Sequence, residues 1–356
     1  MLMVEAMRIS LSQVPLFLAS LGLWPAAAAA GDADALDLTD VPGPWENHVV
    51  ELPDRVTDAD TGATSPLSMH YLAAGPVDAP RVVLLHGFPD FAYSWRDVIP
   101  LLADDFRVIA PDMRGYAGSG MPEGGYDMDT LAGDIVALFD AAAAEDGLDD
   151  AQAAAPVHLV GHDWGAGVGW WVALTAPERL ASYTAISVPH PATFAEYVRT
   201  KPEQQRRSGY MLLLSRKVAP RLFASMGDRR RARLYRGELT RAEGFTDEDL
   251  EWYKAAFATT EMARGPLLYY RTMMQGRKDQ QAAMEALEPV AVPVLMVTGK
   301  RDKYLMWEMA EDSGAHVDPG PFEVEVFEDA GHFLQWEDPE GLSARWRTFV
   351  EDLSRP

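Results

Sequence analysis

One aspartate lies between two glycines at a point where the chain is expected to turn sharply. Asp163 is the central residue of the stretch GHDWG, which follows an apolar run at 157–161 and precedes a helical pattern at 165–175. A strand, a tight turn and a helix, with small residues two positions on either side of the central one, are typical of a nucleophile elbow. The pattern therefore predicts Asp163 as a nucleophile.

The type of this nucleophile restricts the chemistry. A carboxylate is already ionised near neutral pH and needs no base for its attack. Attack on an ester or amide would give a reactive anhydride, whereas attack on a saturated carbon gives an alkyl ester that water can cleave. The expected electrophile is therefore an sp³ carbon with a leaving group, which is an epoxide or a halide.

Cleavage of such an ester requires an activated water molecule. His332 follows a predicted strand at 322–327 and is the expected general base, and Asp302 follows another predicted strand at 292–298. A carboxylate in that place can fix the tautomer of the imidazole and stabilise its charged form. The order nucleophile, acid, base along the chain is the order expected of this kind of fold.

The stretch HGFP at 86–89 ends another buried run. The backbone N–H groups of Phe88 and Trp164 are expected to form an oxyanion hole for the tetrahedral intermediate of ester hydrolysis. We expect His86, Pro89 and Trp164 to lie at the substrate site, and we interpret His86 as a structural hydrogen-bonding residue rather than a catalyst.

Opening of an epoxide also requires a proton donor. A tyrosine hydroxyl is protonated at neutral pH and can project from an apolar wall. Tyr210 and the pair Tyr269 and Tyr270 lie in a helical part of the chain. Taken alone, such tyrosines are more often packing residues than donors.

The elements that must position these residues alternate between strand and helix. Runs at 48–52 and 68–72 can form an antiparallel pair at a sheet edge, and further buried strands are expected at 81–85, 106–110, 157–161, 180–188, 292–298 and 322–327. Helices are expected at 95–102, 130–144, 165–175 and 342–353. This alternation predicts an α/β fold with a mostly parallel sheet flanked by helices.

A long helical insert interrupts this alternation. Residues 191–287 contain no clear strand pattern and carry 18 basic and 12 acidic residues, whereas the rest of the chain has 13 basic and 42 acidic residues. A segment with its own charge sign indicates a separate subdomain. We expect a helical cap at 191–287 over a core formed by 45–190 and 288–356, with the site at the carboxyl ends of the strands.

The N-terminus resembles a targeting segment. Arg8 precedes an apolar run at 14–24, and small residues follow at 26–30. The run is about half of the roughly 20 residues needed to span a bilayer, which favours a signal peptide over a stable membrane anchor. Residues 1–30 are therefore expected to direct export to the periplasm or the medium, with 31–44 as a flexible linker. The alternative is a cytoplasmic protein with an alanine-rich leader.

Composition excludes several classes of protein. The formal net charge of −23 repels nucleic acid, so we expect no nucleic-acid partner. The chain has no cysteine, which excludes disulfides, a thiolate nucleophile and cysteine-ligated metals. A carboxylate, an imidazole and phenols suffice for the chemistry, so no cofactor or metal is implied.

Taken together, these stretches resemble the epoxide hydrolases of the α/β-hydrolase superfamily, including the soluble type. The resemblance begins near residue 45 and is carried by HGFPDFAYSWRDVIPLL, VIAPDMRGYAGSG, LVGHDWGAGVGWW, SVPHP and GHFLQWEDPE. It implies Asp163 as nucleophile, Asp302 and His332 as acid and base, and Tyr210 and Tyr270 as proton donors, with Tyr269 as a neighbouring contact or alternative. It also implies a cis bond before Pro89. The expected partners are a small apolar epoxide and water.

Two other functions remain open from the sequence. A haloalkane dehalogenase shares the aspartate nucleophile, but such an enzyme needs halide donors, commonly an Asn or Trp beside the HG motif, where Phe88 stands here. A catalytically silent, exported binding protein would have no need of Asp163, Asp302 and His332 together.

Overall fold

The centre of the molecule is an eight-stranded sheet. A computed structural model describes residues 36–238, 245–276 and 289–355, and within these ranges the strands lie in the order β1-β2-β4-β3-β5-β6-β7-β8. The strands are β1 (Glu46–Thr57), β2 (Thr64–Ala74), β3 (Arg81–Leu85), β4 (Arg107–Pro111), β5 (Val157–His162), β6 (Leu180–Ile186), β7 (Val294–Gly299) and β8 (Phe322–Phe327).

The burial of side chains along each strand agrees with whether the strand lies in the parallel part of the sheet or at its antiparallel edge. Every residue of β3 and β4 is buried, because helices cover both faces of the parallel part of the sheet. In β1 exposed residues are interspersed with buried ones, and this strand pairs antiparallel with β2 at the edge. β2 is antiparallel to β4, and all the pairs from β4 to β8 are parallel. The predicted α/β fold with a mostly parallel sheet is confirmed.

The helices fall into two groups, those that flank the sheet and those between β6 and β7. The first group consists of α1 (Ile99–Leu102), α2 (Met128–Glu145), α3 (Asp150–Ala153), α4 (Trp164–Thr175), α12 (Met309–Asp312), α13 (Leu334–Glu337) and α14 (Pro339–Leu353). The second group consists of α5 (Pro191–Thr200), α6 (Pro202–Arg207), α7 (Tyr210–Leu214), α8 (Ala219–Ala224), α9 (Asp228–Glu238), α10 (Asp247–Ala256) and α11 (Thr260–Gln275).

The second group occupies the part of the predicted insert that the structure describes, and residues 239–244 and 277–287 of that prediction lie outside the described ranges. These helices pack side chains such as Phe223, Tyr235 and Tyr270 into one hydrophobic core with residues of the sheet. In residues 36–238, 245–276 and 289–355, no helix combines the length and apolarity required to cross a membrane.

Two local expectations differ from the structure. A single helix was expected at 95–102, but the chain forms a 3-10 turn at Ala92–Trp95 and then the short α1. Pro100, near the start of α1, has no N–H with which to continue a helix from the preceding turn. The described part of the expected linker, 36–44, lies against the core, with Leu38 and Val41 buried. The predicted signal peptide at 1–30 lies outside the described residues.

Candidate active site

The turn between β5 and α4 holds Asp163 in a strained conformation. Its backbone angles are φ 50° and ψ −119°, which an L-amino acid rarely adopts. A Cβ on Gly161 would overlap the backbone of Gly165, and a Cβ on Gly165 would overlap the carbonyl oxygens of Leu85 and His86. The two glycines are therefore required by close packing of the turn, as the sequence pattern predicted.

The loop after β3 approaches the carboxylate of Asp163 from the other side. A Cβ on Gly87 would overlap the side chain of Asp163, so only glycine allows this approach. The next residue, Phe88, donates its backbone N–H to Oδ1 of Asp163 at 2.8 Å. The Phe88–Pro89 bond is cis, as the resemblance implied. One of the two N–H groups expected at an oxyanion hole is therefore in contact with the carboxylate.

Three side chains form a connected series at the carboxyl ends of β5, β7 and β8. Nε2 of His332 is 3.4 Å from Oδ2 of Asp163, and its Nδ1 is 2.7 Å from Oδ2 of Asp302. The other carboxylate oxygen of Asp302 accepts the backbone N–H groups of Tyr304 and Leu305 at 2.7 and 3.0 Å. The residues predicted as nucleophile, base and acid thus lie together in the order that a proton relay requires.

The charges of this series stabilise one another. Burial alone would lower the pKa of His332, but Asp302 and Asp163 together raise it well above its ordinary value. Burial would raise the pKa of the Asp163 carboxyl, but the hydrogen bond and charge of His332 hold it below its ordinary value. The free site therefore holds an ionised nucleophile beside an imidazolium.

The backbone around His332 is fixed by residues that the sequence did not single out. Its carbonyl oxygen accepts from Nε2 of His162 at 2.8 Å and from Oγ of Ser187 at 3.0 Å. The carboxylate of Glu337 accepts the N–H groups of both neighbours, Gly331 and Phe333. His162 and Glu337 lie inside GHDWG and GHFLQWE, two of the stretches that carry the family resemblance, but their residue types do not distinguish a supporting residue from a catalytic one.

Three buried polar side chains, those of His162, Gln335 and Asp90, are connected by hydrogen bonds close to Asp163 and His332. Nε2 of Gln335 donates to Nδ1 of His162 at 3.1 Å and contacts Oδ2 of Asp90 at 3.3 Å. Burial and the nearby charge of His332 lower the pKa of His162 to about 3, so this imidazole is neutral and its Nε2 carries the proton. Burial raises the pKa of Asp90 to about 8, which opposes a second negative charge close to Asp163.

An apolar cavity opens in front of Asp163 and His332. Two of the predicted tyrosines, Tyr210 and Tyr270, lie in its wall, and so does Tyr304, which the sequence did not suggest. Burial raises the pKa of Tyr270 well above its ordinary value, despite a hydrogen bond from the Trp164 side chain, so its hydroxyl keeps its proton. The remaining lining residues are Phe88, Pro89, Leu214, Phe223, Met226, Leu234, Tyr235, Phe333 and Trp336.

Three predicted substrate contacts lie outside the wall of this cavity. Tyr269 donates its hydroxyl to the carbonyl of Arg114 and packs against Trp164. His86 is fully buried, and its Nε2 accepts the backbone N–H of Met113, so it supports the loop rather than the substrate. The indole of Trp164 packs against both tyrosines of the pair. The register of α11 therefore turns Tyr270, and not Tyr269, toward the nucleophile.

The fold is shared with known hydrolases. Residues 80–339 match the family model described as alpha/beta hydrolase fold. The chain is 33% identical to AB hydrolase superfamily protein YfhM of Bacillus subtilis, over 78% of this chain and 92% of that protein. It is 30% identical to epoxide hydrolase 4 of Mus musculus, over 82% of this chain and 78% of that protein.

A solved structure is similar over a comparable length. The Bacillus megaterium epoxide hydrolase, crystallised with an inhibitor, superposes with a TM-score of 0.66 at 27% identity, over 80% of this chain and 97% of that one. The chain belongs to the α/β-hydrolase superfamily. Within that superfamily it is a member of the epoxide hydrolase family.

The packing around the elbow can be tested with two glycines of α4. Gly165→Ala should lower the free energy of unfolding by about 3 kcal/mol, because its Cβ would overlap two backbone carbonyls of the β3 end. Gly167→Ala is the matched control, since its Cβ would meet only the end of Met128 at 3.9 Å. It should raise stability by about 0.5 to 1 kcal/mol. Denaturant unfolding measures both, and equal values for the two variants would contradict the packing argument.

Proposed function

We propose that this protein is an epoxide hydrolase that converts an epoxide to a vicinal diol through an ester on Asp163. The observation that carries the proposal is the arrangement around one carboxylate. Its Oδ1 accepts the N–H of Phe88, its Oδ2 faces Nε2 of His332, and the cavity in front of it has Tyr210 and Tyr270 in its wall.

The first step forms the ester. Oδ2 of Asp163 attacks one epoxide carbon, the ring carbon–oxygen bond breaks, and its electron pair passes to the ring oxygen. That oxygen takes a proton from the hydroxyl of Tyr210 or Tyr270. Tyr270 suits this role because burial keeps its hydroxyl protonated at neutral pH.

The second step cleaves the ester. Alkylation removes the negative charge of Asp163, which is one of the influences that raise the pKa of His332. The imidazolium therefore gives up its proton more readily, to the tyrosinate that the first step leaves, and the neutral imidazole can then accept a proton from water as the water attacks Cγ. The N–H of Phe88 already contacts Oδ1, where the oxyanion develops, and we assign the N–H of Trp164 as the second donor. The tetrahedral intermediate then collapses: the bond from Cγ to the alkyl oxygen breaks, that oxygen takes the proton of the new carboxyl group, and the diol leaves with Asp163 again a carboxylate and His332 again an imidazolium.

The wall of the cavity supports an uncharged, apolar substrate. Among the described residues that line it there is no lysine or arginine, and most of the wall is aliphatic or aromatic. The cationic group that the described lining residues do supply, the His332 imidazolium, lies between Asp163 and Asp302. A carboxylate or phosphate on the substrate would therefore lose its hydration there without a cation free to pair with it. We assign the helices of residues 191–276 as a cap, because they supply Tyr210, Phe223, Met226, Tyr235 and Tyr270 to that wall.

The dehalogenase alternative has less support. A halide leaving group needs N–H donors directed into the cavity. Phe88 has no side-chain donor, and the indole of Trp164 packs against Tyr269 and Tyr270 behind the described wall. The two tyrosines in the wall suit the oxygen of an epoxide instead. The silent binding protein is disfavoured by the connected series Asp163, His332 and Asp302, which binding alone does not require.

Product analysis tests the function directly. A panel of terminal epoxides and matched haloalkanes should give diol from the epoxides and no free halide, when both products are assayed side by side. Asp163→Asn should abolish diol formation, with a fall of at least roughly 10⁴-fold, because the amide is a poor nucleophile. Halide release without diol would establish a dehalogenase, and unchanged binding with no product would establish a binding protein.

The two-step course is tested by trapping the ester. His332→Gln should alkylate at Asp163 but hydrolyse the ester at least roughly 100-fold more slowly, because the general base is lost. Mass spectrometry of the intact variant after incubation should show an adduct of the substrate mass, located on Asp163 by peptide mapping. Absence of any adduct from a folded variant that has lost diol formation would mean that water attacks the epoxide directly.

We also propose export, on the basis of the leader at 1–30. The pattern of Arg8, an apolar run and small residues supports it. Expressed with this leader in a bacterial host, the protein should be recovered outside the cytoplasm with an N-terminus near residue 30. A cytoplasmic product that retains the leader would favour the alternative location.

A further inference from the structure

The loop that carries Asp302, here called the acid loop, lies outside the regular hydrogen bonding of the strands and helices. Residues 302–306 follow β7 and form neither strand nor helix. They bear Asp302 at one end and Tyr304, a residue of the cavity wall, in the middle. The carbonyl and N–H groups of such a buried loop need side-chain partners if the loop is to keep one conformation.

One glutamine of α6 satisfies two of these groups. Nε2 of Gln204 donates to the carbonyl of Tyr304 at 2.9 Å, and its Oε1 accepts the N–H of Met306 at 3.0 Å. Gln204 is fully buried. A carboxamide is suited to this place because it offers a donor and an acceptor in one plane, as a neighbouring strand would.

Arg207, one turn later on α6, provides hydrogen bonds to two further backbone groups of the same loop. Nη1 of Arg207 donates to the carbonyls of Asp302 and Leu305 at 2.7 and 2.8 Å. The opposite side of its guanidinium pairs with Glu203, so the side chain is held from both sides. Two side chains of one short helix therefore hold four backbone groups of the acid loop.

These contacts reach the carboxylate of Asp302 through a single peptide unit. The carbonyl of Tyr304 is held by Gln204, and the N–H of the same peptide, on Leu305, donates to Oδ1 of Asp302. Since a peptide is planar, fixing its carbonyl fixes the direction of its N–H. The orientation of the carboxylate, and with it the hydrogen bond to His332, depends on that direction.

We propose that Gln204 and Arg207 are positioning residues for Asp302, so that α6 of the cap keeps the acid in place for the base. The inference rests on the proposed two-step reaction. It predicts an effect on one step only, because alkylation uses Asp163 and a tyrosine, whereas ester hydrolysis uses His332 held by Asp302. Loss of the contacts should slow hydrolysis and leave alkylation unchanged.

The experiment is single-turnover and steady-state kinetics of Gln204→Met, an apolar side chain of similar length. The hydrolysis rate constant should fall at least roughly tenfold, because the base is no longer held in line, and the alkylation rate constant should be unchanged. kcat and KM should fall together with kcat/KM preserved, since KM contains the slowed step. The matched control is Gln205→Met on the same helix, whose amide donates to the carbonyl of Arg199 and not to the acid loop. It should behave as the original protein.

A second set of variants keeps the test decisive if Gln204→Met does not fold. Gln204→Glu keeps an acceptor for Met306 but places an oxygen opposite the carbonyl of Tyr304, and it should also slow hydrolysis. Arg207→Met should also slow ester hydrolysis, and Arg207→Lys should recover part of the hydrolysis rate. The control is Arg206→Met, a change at an exposed neighbouring residue, which should not affect either step.

Three results are distinguishable. Slow hydrolysis with preserved alkylation supports the inference. Equal losses of kcat and kcat/KM with unchanged KM would indicate only a smaller fraction of active protein and would overturn the inference. Unaltered ester hydrolysis in the Gln204 and Arg207 variants would also overturn it. If the original protein forms neither ester nor diol from any epoxide of the panel, the proposed function itself fails, whatever the variants do.

Discussion

The conformation of Asp163 is the constraint from which the geometry of the site follows. A non-glycine residue held at φ 50° costs about 1–3 kcal/mol, and the surrounding structure must maintain it. Here the end of β3, the end of β5 and the first turn of α4 approach one another so closely that Gly87, Gly161 and Gly165 cannot carry a side chain. The carboxylate therefore projects from the end of the sheet, with one oxygen against the Phe88 N–H and the other toward His332.

Two carboxylates and one imidazole lie close together and largely buried, and their charges are balanced by hydrogen-bond partners and by one another. Burying an ion costs several kcal/mol unless other groups replace its hydration. Asp302 receives two N–H groups of its own loop, and Asp163 receives one from Phe88 and lies at the N-terminus of α4, where the helix dipole favours negative charge. His332 lies between the two carboxylates. In the proposed reaction Asp163 becomes a neutral ester, so one of the charges that raise the pKa of His332 is lost and more of the imidazole is in the neutral form that can accept a proton.

Residue type and spacing predicted the sheet, the elbow and the triad, because each depends on local features. Glycines at fixed offsets, buried runs and a polar residue after a strand are visible in a single sequence. The supporting residues were not predictable, since Gln204 and the 302–306 loop are about 100 positions apart and meet only in the fold. The difference between Tyr269 and Tyr270 also needs structure: adjacent helical residues point about 100° apart, and the packing of α11 decides which one faces the cavity. Pro100 is visible in the sequence and disfavours one continuous helix over 95–102, but the apolar pattern around it favoured that helix in the prediction.

The site is divided between two parts of the chain, and α6 connects them. The sheet holds Asp163 and His332, whereas the helices of 191–276 hold Tyr210 and Tyr270. Tyr210 begins α7 three residues after Arg207, and Arg207 and Gln204 hold the backbone of the acid loop. In the proposed reaction, a displacement of α6 would therefore move a proton donor of the first step and loosen the acid of the second step at the same time. Under that proposal, substrate binding and ester hydrolysis require the same placement of one six-residue helix.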